Sequence, residues 1–365
     1  MGSVRTNITQ VQAYVSGKPI EETKRELGLK SVIKLASNEN PLGVSPKAVA
    51  AMKKALGQVN RYPDSQSFYL KQKLSGKLGV PKDSLVLGNG SDELIDVVIK
   101  TFVEDGEEVL TADTTFVEYA IISKVNNKKL VTVPLKDYRF DLAAMKARVN
   151  DKTKLVFIAN PNNPTGSYVS RVELESFCAG LPQNTIVVLD EAYDAFIDVD
   201  DYPSGISYLG KKNIITLKTF SKGYGLAGVR IGYCVADPQW ATYLERTRQP
   251  FNVNSIAQAA AVAALDDAKF LKRTREVTLE GKYYFYRQFE AMGLSYVPSL
   301  TNFVLVDVKR DCLEVFKALL RLGVIVRDMK QYNLDTCVRV SIGTMKENKQ
   351  FILALKKVLG KEGAS

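Results

Sequence analysis

The middle of the chain alternates short aliphatic and β-branched runs with segments that carry helix signals. Each run is four to seven residues long and apolar nearly throughout, which is typical of strands covered on both faces. Because strands that alternate with helices form parallel sheets, the pattern predicts an α/β fold with a mostly parallel central sheet. The predicted strands are residues 108–111, 129–133, 154–159, 185–189, 213–217 and 229–235.

Capping residues mark two of the predicted helices. Ser45 and Pro46 supply a cap residue and a proline at the first helical position, ahead of a helix over residues 47–56. Ser91 has the same capping role for a helix over residues 92–102. Both helices lie ahead of the first apolar run, which begins at residue 108.

The pattern changes after about residue 245. With 365 residues, the chain exceeds the size at which one hydrophobic core usually stops growing. We predict a large domain over residues 36–245 and a smaller α+β domain formed by residues 246–365 together with an N-terminal arm, residues 1–35. The predicted elements of the smaller domain are a long helical tract (255–292), strands at 302–308, 324–327 and 337–342, and helices at 313–322 and 346–359.

Composition narrows the chemistry that is possible. The chain has no histidine, which excludes a His-based zinc site and every Ser-His or Cys-His mechanism. Its four cysteines include no C-x-x-C pair, so we expect no metal, no disulfide framework and a reducing cytoplasm. No signal-like segment opens the chain, and no apolar run reaches the roughly 18 residues of a membrane span.

The formal net charge is +10. Lysine and arginine are spread along the chain with acidic residues between them, whereas nucleic-acid-binding proteins cluster their positive charge on one face. We therefore expect no nucleic-acid partner. A positive field suits an enzyme that acts on small anionic substrates.

Polar residues follow three neighbouring predicted strands at the point where each strand ends. Residues 161–166 (Pro-Asn-Asn-Pro-Thr-Gly) follow the first, residues 190–193 (Asp-Glu-Ala-Tyr) the second, and the glycine- and hydroxyl-rich residues 219–230, with Lys222, the third. Open α/β sheets bind ligands at the carboxyl ends of their strands. The three segments therefore predict one shared site.

These segments and four others carry a family resemblance. The chain resembles the fold-type I pyridoxal-phosphate (PLP) aminotransferases and, among them, is most similar to the histidinol-phosphate aminotransferases. The resemblance spans about residues 10–345, with the motifs in the family order. It implies a large domain with a mostly parallel sheet, a smaller α+β domain and a homodimer. The other matching segments are residues 37–43, 61–64, 88–93 and 339–344.

The resemblance implies catalytic roles for Lys222, Asp190 and Tyr193. Lys222 would hold PLP as a Schiff base and, once displaced, move a proton between the substrate Cα and C4′ of the cofactor. Asp190 would keep the pyridine nitrogen protonated, so that the ring can accept electrons. Tyr193 and Asn163 would hydrogen-bond the 3′ oxygen of the ring, and Phe116 would stack on its face.

The cofactor phosphate needs hydrogen-bond donors and positive charge. The backbone N–H groups at helix N-termini and at glycines supply donors, and the guanidinium groups of arginine supply donors together with positive charge. The resemblance also implies that Tyr62 of the neighbouring subunit reaches the phosphate. The phosphate-binding residues implied within one chain are Gly90, Ser91, Asp92, Ser221 and Arg230.

The implied substrate-binding residues are Tyr14, Asn40, Arg327 and Arg339. Arg327 and Arg339 match arginines that hold anionic ends of substrates, and Tyr14 belongs to an arm that closes over the site. The implied reaction moves an amino group between histidinol phosphate and 2-oxoglutarate or glutamate, in a ping-pong PLP/PMP cycle of histidine biosynthesis.

Three alternatives remain open at this point. An aromatic amino acid aminotransferase and a threonine-phosphate decarboxylase would share nearly every residue named above, although residues 88–93 and the Tyr14 arm favour the transaminase. A non-catalytic PLP-fold sensor would carry an appended DNA-binding domain. Because the first motif begins at Ser37 and because Lys222 and Asp190 are both present, we expect an enzyme.

Overall fold

The protein, represented by a computed structural model that describes residues 4–13 and 17–361, contains three β-sheets within that part of the chain. The strands, in chain order, are β1 (Ile33–Lys34), β2 (Leu85–Gly88), β3 (Glu108–Ala112), β4 (Lys129–Val133), β5 (Thr153–Ala159), β6 (Ile186–Asp190), β7 (Ile214–Thr219), β8 (Gly232–Val235), β9 (Ser295–Val297), β10 (Phe303–Asp307), β11 (Val324–Ile325), β12 (Arg327–Asp328) and β13 (Cys337–Ser341).

The central sheet has seven strands in the order β2-β8-β7-β6-β5-β3-β4. All neighbours are parallel except β8, which runs antiparallel to both β2 and β7. Every residue of β6 and β7 is buried, as expected for strands with helices on both faces. The predicted mostly parallel sheet is confirmed.

Two features of this sheet differ from the prediction. Strand β2 has no predicted counterpart, and β8 begins at Gly232, three residues later than the predicted start at 229. The delay arises because Ala227–Val229 forms a 3₁₀ turn and Arg230 has a left-handed backbone, with φ 58°. That turn lies beside the predicted ligand site.

Thirteen α-helices occur in the part of the chain that is described, and no helix there is long and apolar enough to cross a membrane. They are α1 (Thr6–Thr9), α2 (Ile20–Leu27), α3 (Pro46–Ala55), α4 (Phe68–Leu78), α5 (Ser91–Phe102), α6 (Glu118–Val125), α7 (Leu142–Arg148), α8 (Arg171–Cys178), α9 (Pro238–Thr247), α10 (Ser255–Leu265), α11 (Ala268–Ala291), α12 (Cys312–Arg321) and α13 (Met345–Leu359).

The structure corrects two of the predicted helices. The predicted tract 255–292 is two helices, because Asp267 caps a new helix by accepting a hydrogen bond from Phe270 N. Asp267 also accepts a bond of 2.5 Å from Ser45, the cap of α3, and α10 packs on α3. Ser91 is the first residue of α5 rather than its cap, and Gly90 is the capping residue.

A second sheet has the antiparallel order β12-β13-β10-β9 and packs against α11 and α12, and α13 packs against these two helices. The predicted strand 324–327 is divided, because β11 pairs with β1 whereas β12 pairs with β13. The end of the N-terminal arm meets both β11 and β13, because β1 pairs with β11 and because Ser341 N of β13 donates a hydrogen bond of 2.8 Å to the carbonyl oxygen of Leu35. The domain limits at residues 35 and 245 stay a prediction.

Candidate active site

A cavity of about 250 Å³ opens at the carboxyl ends of β5, β6 and β7. The starts of α5 and α6 close one side of it, and the smaller sheet closes another. Most of the predicted site residues line this cavity. They are Ser91, Asp92, Phe116, Asn163, Asp190, Tyr193, Ser221, Lys222, Arg230, Arg327 and Arg339.

Lys222 lies in the loop that follows β7. The loop is fixed by Thr219, whose Oγ1 accepts a hydrogen bond of 3.1 Å from Ser221 N and donates one of 3.0 Å to Ser221 Oγ. Lys222 Nζ donates to the carbonyl oxygen of Ser37 at 3.3 Å and lies 5.8 Å from the centre of the Tyr193 ring. The amine is thereby held inside the cavity, between two neighbouring elements.

Asp190 ends β6 and is only 4% exposed. Its carboxylate accepts hydrogen bonds from Tyr119 OH at 2.7 Å and from Ala192 N at 3.1 Å. Burial raises the pKa of Asp190 to about 6, although both hydrogen bonds act in the opposite direction. A cation beside this carboxylate would offset the cost of burying its charge.

Tyr119 was not predicted as a site residue. It is fully buried in α6, and its ring stacks on Phe157 with 4.8 Å between the ring centres. This packing fixes the direction of the hydroxyl that meets Asp190. Its only signal in the sequence is a position three residues after Phe116, which does not identify a hydrogen-bond partner.

Tyr193 is held by a second unpredicted residue, Asn38. Asn38 Nδ2 donates to Tyr193 OH at 2.9 Å, and Asn38 Oδ1 accepts from Ser341 Oγ at 2.8 Å. Burial raises the pKa of Tyr193 to about 12, against the opposing effects of Arg339 and Asn38. The hydroxyl therefore stays protonated at neutral pH and can act as a hydrogen-bond donor.

Positive charge collects at the other end of the cavity. Arg230 Nη2 lies 2.9 Å from Asp92 Oδ2, at the N-terminus of α5. A side chain at Gly90 would place its Cβ 2.4 Å from Arg230 Nη2, so only glycine allows the guanidinium to lie here. A guanidinium at a helix N-terminus forms an end of the cavity suited to an anion.

Arg327 and Arg339 enter the cavity from the smaller sheet. They are paired in register on the antiparallel strands β12 and β13. Arg339 donates to the carbonyl oxygen of Ala36 at 2.8 Å and to Asn163 Oδ1, and its guanidinium lies 5.0 Å from the centre of the Phe303 ring. Two adjacent cations thus face the central sheet.

Two of the predicted site side chains do not line the cavity of their own chain. Asn40 does not line the cavity; its Nδ2 donates to the carbonyl oxygen of Gly223 at 3.0 Å, which supports the Lys222 loop. Tyr62 is 83% exposed and stacks on Phe251, away from the cavity of its own chain. Tyr14 lies outside the described residues.

An ion triplet of two buried residues and the partly exposed Asp194 underlies the site and was not predicted. Lys218 Nζ lies 2.6 Å from both Glu191 Oε2 and Asp194 Oδ2. Burial alone would lower the pKa of Lys218, but the carboxylates of Asp194 and Glu191 hold it well above its usual value. Since Lys218 is in β7 and Glu191 follows β6, the triplet ties these strands together next to Asp190.

The residues that line the cavity fit PLP. Arg230 and the start of α5 offer donors for its phosphate, and buried Asp190 offers a carboxylate for its pyridine nitrogen. Lys222 lies in the same cavity, where an amine could bond to the aldehyde carbon of the cofactor. Phe116 also lines the cavity and could cover the ring face.

Comparison with known proteins also indicates an enzyme that uses PLP. Residues 30–355 match the model of the family described as aminotransferase class I and II. A histidinol-phosphate aminotransferase of Moorella thermoacetica is 49% identical, over 97% of this chain and 92% of the relative. Histidinol-phosphate aminotransferase 2 of Carboxydothermus hydrogenoformans is 45% identical, over 98% of this chain and 99% of the relative.

A solved structure is similar over almost the whole fold. It is a histidinol-phosphate aminotransferase from Sinorhizobium meliloti in complex with pyridoxal-5′-phosphate, with a TM-score of 0.90 and 32% identity. The match covers 99% of this chain and 98% of that one. The predicted fold class is confirmed, and the chain belongs to the class I and II aminotransferases, a family of PLP-dependent enzymes.

Proposed function

We propose that this enzyme transfers an amino group between histidinol phosphate and 2-oxoglutarate or glutamate, in histidine biosynthesis. The observation that carries the proposal is the meeting of Lys222, buried Asp190 and the paired Arg327 and Arg339 in one cavity. Two relatives at 45% and 49% identity bear the name histidinol-phosphate aminotransferase, which supports the same substrate. The two half-reactions would alternate on one site.

The catalytic residues divide the chemistry between them. Bound PLP supplies an electron sink for the negative charge that develops at the substrate Cα. Lys222 Nζ would take the proton from that carbon and deliver it to C4′ of the cofactor, and it would carry a proton in the reverse direction in the second half-reaction. Asp190 keeps the ring nitrogen protonated, and Tyr193 OH, with its raised pKa, donates a hydrogen bond to the 3′ oxygen of the ring.

Arg327 and Arg339 can bind the anionic ends of two chemically different substrates. Glutamate presents carboxylates, whereas histidinol phosphate presents a phosphate and no carboxylate. A guanidinium offers a planar fork of donors that matches either anion. We therefore assign both half-reactions to the same arginine pair.

A single-turnover panel tests the substrate. The PLP-loaded enzyme would be mixed separately with histidinol phosphate, glutamate, phenylalanine and threonine phosphate, while the absorbance of the lysine-bound cofactor is followed. We expect rapid loss of that absorbance with histidinol phosphate and glutamate only. Rapid reaction with phenylalanine but not histidinol phosphate would indicate an aromatic aminotransferase, and release of CO₂ from threonine phosphate would indicate a decarboxylase.

We also propose that the enzyme is a homodimer in which Tyr62 of one chain reaches the cofactor phosphate of the other. Six large apolar residues are exposed, five of them between residues 56 and 69 and the sixth at Phe251. Contiguous exposed apolar surface is typical of interfaces. Tyr62 stacks on Phe251 within this set, so the set is continuous in space there. The six are Leu56, Val59, Tyr62, Phe68, Tyr69 and Phe251.

Mixed dimers test the shared site. We expect the Tyr62→Phe and Lys222→Ala variants each to be impaired, and their mixture to regain activity because hybrids contain one site with a wild-type Lys222 and a wild-type Tyr62. Analytical ultracentrifugation would establish the oligomeric state, and co-purification of differently tagged chains would establish that chains exchange. A fully active monomer, or hybrids with no regained activity despite exchange, would refute the arrangement.

We further propose a cytoplasmic location and small-molecule substrates, with neither nucleic acid nor membrane as a partner. Cys178, Cys234, Cys312 and Cys337 are free thiols, which persist in a reducing compartment. The basic charge is spread along the chain rather than collected in one block.

A further inference from the structure

Glu118 is a cavity residue that none of the roles described above uses. It begins α6, two residues after Phe116, and its half-buried side chain lines the active-site cavity. Across residues 4–13 and 17–361, the structure gives its carboxylate no hydrogen bond and no ion pair. A carboxylate in this position can accept hydrogen bonds from a ligand.

The other carboxylates of the cavity are already engaged. Asp92 pairs with Arg230 at 2.9 Å, and Asp190 accepts from Tyr119 at 2.7 Å. Burial raises the pKa of Glu118, and the charge of Asp92 adds to the effect. Since a hydrogen-bond donor on a ligand would stabilise the ionised form, Glu118 is the cavity carboxylate best suited to meet a substrate.

The chemistry of the two substrates limits what that donor can be. In the proposed reaction the amino group reacts with the cofactor beside Lys222, and the phosphate is held by Arg327 and Arg339. The remaining polar group of histidinol phosphate is its imidazole ring, which always carries at least one N–H donor. The side chain of glutamate ends in a second carboxylate, which offers no donor at neutral pH.

We propose that Glu118 accepts a hydrogen bond from the imidazole N–H of the amine substrate and so selects a nitrogen-bearing ring over an apolar one. The inference rests on the proposed function, whose substrate it makes more specific. A site built to hydrogen-bond a substrate group discriminates strongly against an analogue that lacks the group, because the buried partner is left unpaired. Glu118 therefore acts in one half-reaction only.

A substrate pair that differs in the ring alone tests this role. Single-turnover kcat/KM would be measured with histidinol phosphate, with its analogue carrying phenyl in place of imidazole, and with glutamate. Glu118→Leu should lower kcat/KM for histidinol phosphate by about 10- to 100-fold, as expected for loss of a charge-assisted hydrogen bond. Glu118→Gln, which keeps an uncharged acceptor, should give a smaller loss.

The phenyl analogue and glutamate serve as internal controls. Their kcat/KM should stay within about twofold of wild type, because neither forms the bond that the substitution removes. Glu280→Gln, an exposed position on α11, is the matched surface control and should behave as wild type. PLP binding and thermal unfolding of each variant would establish that the fold is intact.

Binding gives a readout that does not depend on turnover. In the PLP-loaded Lys222→Ala protein, which cannot react normally, adding Glu118→Leu should weaken histidinol phosphate binding and leave binding of the phenyl analogue unchanged. Equal losses of binding affinity for histidinol phosphate and for the phenyl analogue, or no loss for either, would overturn the role of Glu118 and leave the proposed function standing. Failure of the wild-type enzyme to react with histidinol phosphate would instead overturn the proposed function.

Discussion

Replacing Lys222 with alanine is expected to abolish amino transfer while leaving the cofactor site able to bind PLP. The phosphate end, formed by Arg230 and the start of α5, and the carboxylate of Asp190 remain in the variant. What is lost is the covalent bond to the cofactor and the proton carrier. Positioned proton transfer alone contributes about 10²- to 10⁴-fold in rate, so we expect a loss at least that large.

Absorbance and single-turnover kinetics would measure this effect. The variant should retain PLP after gel filtration but lack the absorbance of the lysine-bound form. Lys211→Ala, an exposed position that precedes β7, is the control for removal of a lysine and should leave the rate unchanged. Normal turnover by Lys222→Ala would falsify the assignment of the nucleophile.

Replacing Asp190 with asparagine should have the second largest effect. An uncharged amide no longer keeps the ring nitrogen protonated, so the electron sink is weakened although Tyr119 retains an acceptor. We expect the single-turnover rate to fall by about 10²- to 10³-fold, as when one preorganised electrostatic group is removed from other active sites. Near-normal rates in this variant would contradict the role of Asp190.

The same substitution should have the opposite effect on the stability of the cofactor-free protein. The pKa of Asp190 is about 6 in the folded protein, above its ordinary value of 3.8, so the folded chain binds this proton more tightly than the unfolded chain does. The buried charge therefore lowers the free energy of unfolding above pH 6, by up to about 3 kcal/mol, and this penalty disappears as the pH falls toward 4.

Thermal unfolding of the cofactor-free protein would test whether the Asp190 charge lowers its stability. Asp190→Asn should unfold at a higher temperature than wild type at pH 8, and the difference should vanish near pH 4. Tyr119→Phe is the companion variant. Because the Tyr119 hydrogen bond lowers the pKa of Asp190, its loss should raise that pKa further and destabilise the cofactor-free protein at pH 8.

The elements of the fold were predictable where local pattern decides the structure. The apolar runs at β3 to β7 are long enough to be recognised, and the predicted ends lie within two residues of those observed. The pattern missed the break at Asp267, where one cap is enough to end an otherwise continuous helical tract. It also missed the start of β8, since a left-handed arginine has no signature in a single sequence.

The site was predictable to the extent that its residues lie in short motifs. Lys222 and Asn163 each follow a strand and Asp190 ends one, and sheet geometry brings such positions together. The contact between Tyr119 and Asp190 joins residues 71 apart in the chain. The contact depends on how α6 packs on the sheet. A single sequence does not determine that packing, because it does not give the order of the strands.

The pairing of Arg327 with Arg339 on the smaller sheet has a thermodynamic consequence. Asp190 ends a strand of the central sheet and Lys222 lies in the loop after another, so a substrate held by its anionic end and reacting beside Lys222 connects two separately supported parts of the molecule. The binding free energy at the anionic end can then align the reacting carbon, and it lowers the barrier to reaction instead of only tightening substrate binding. Substrates truncated at the anionic end should consequently react slowly even at saturating concentration.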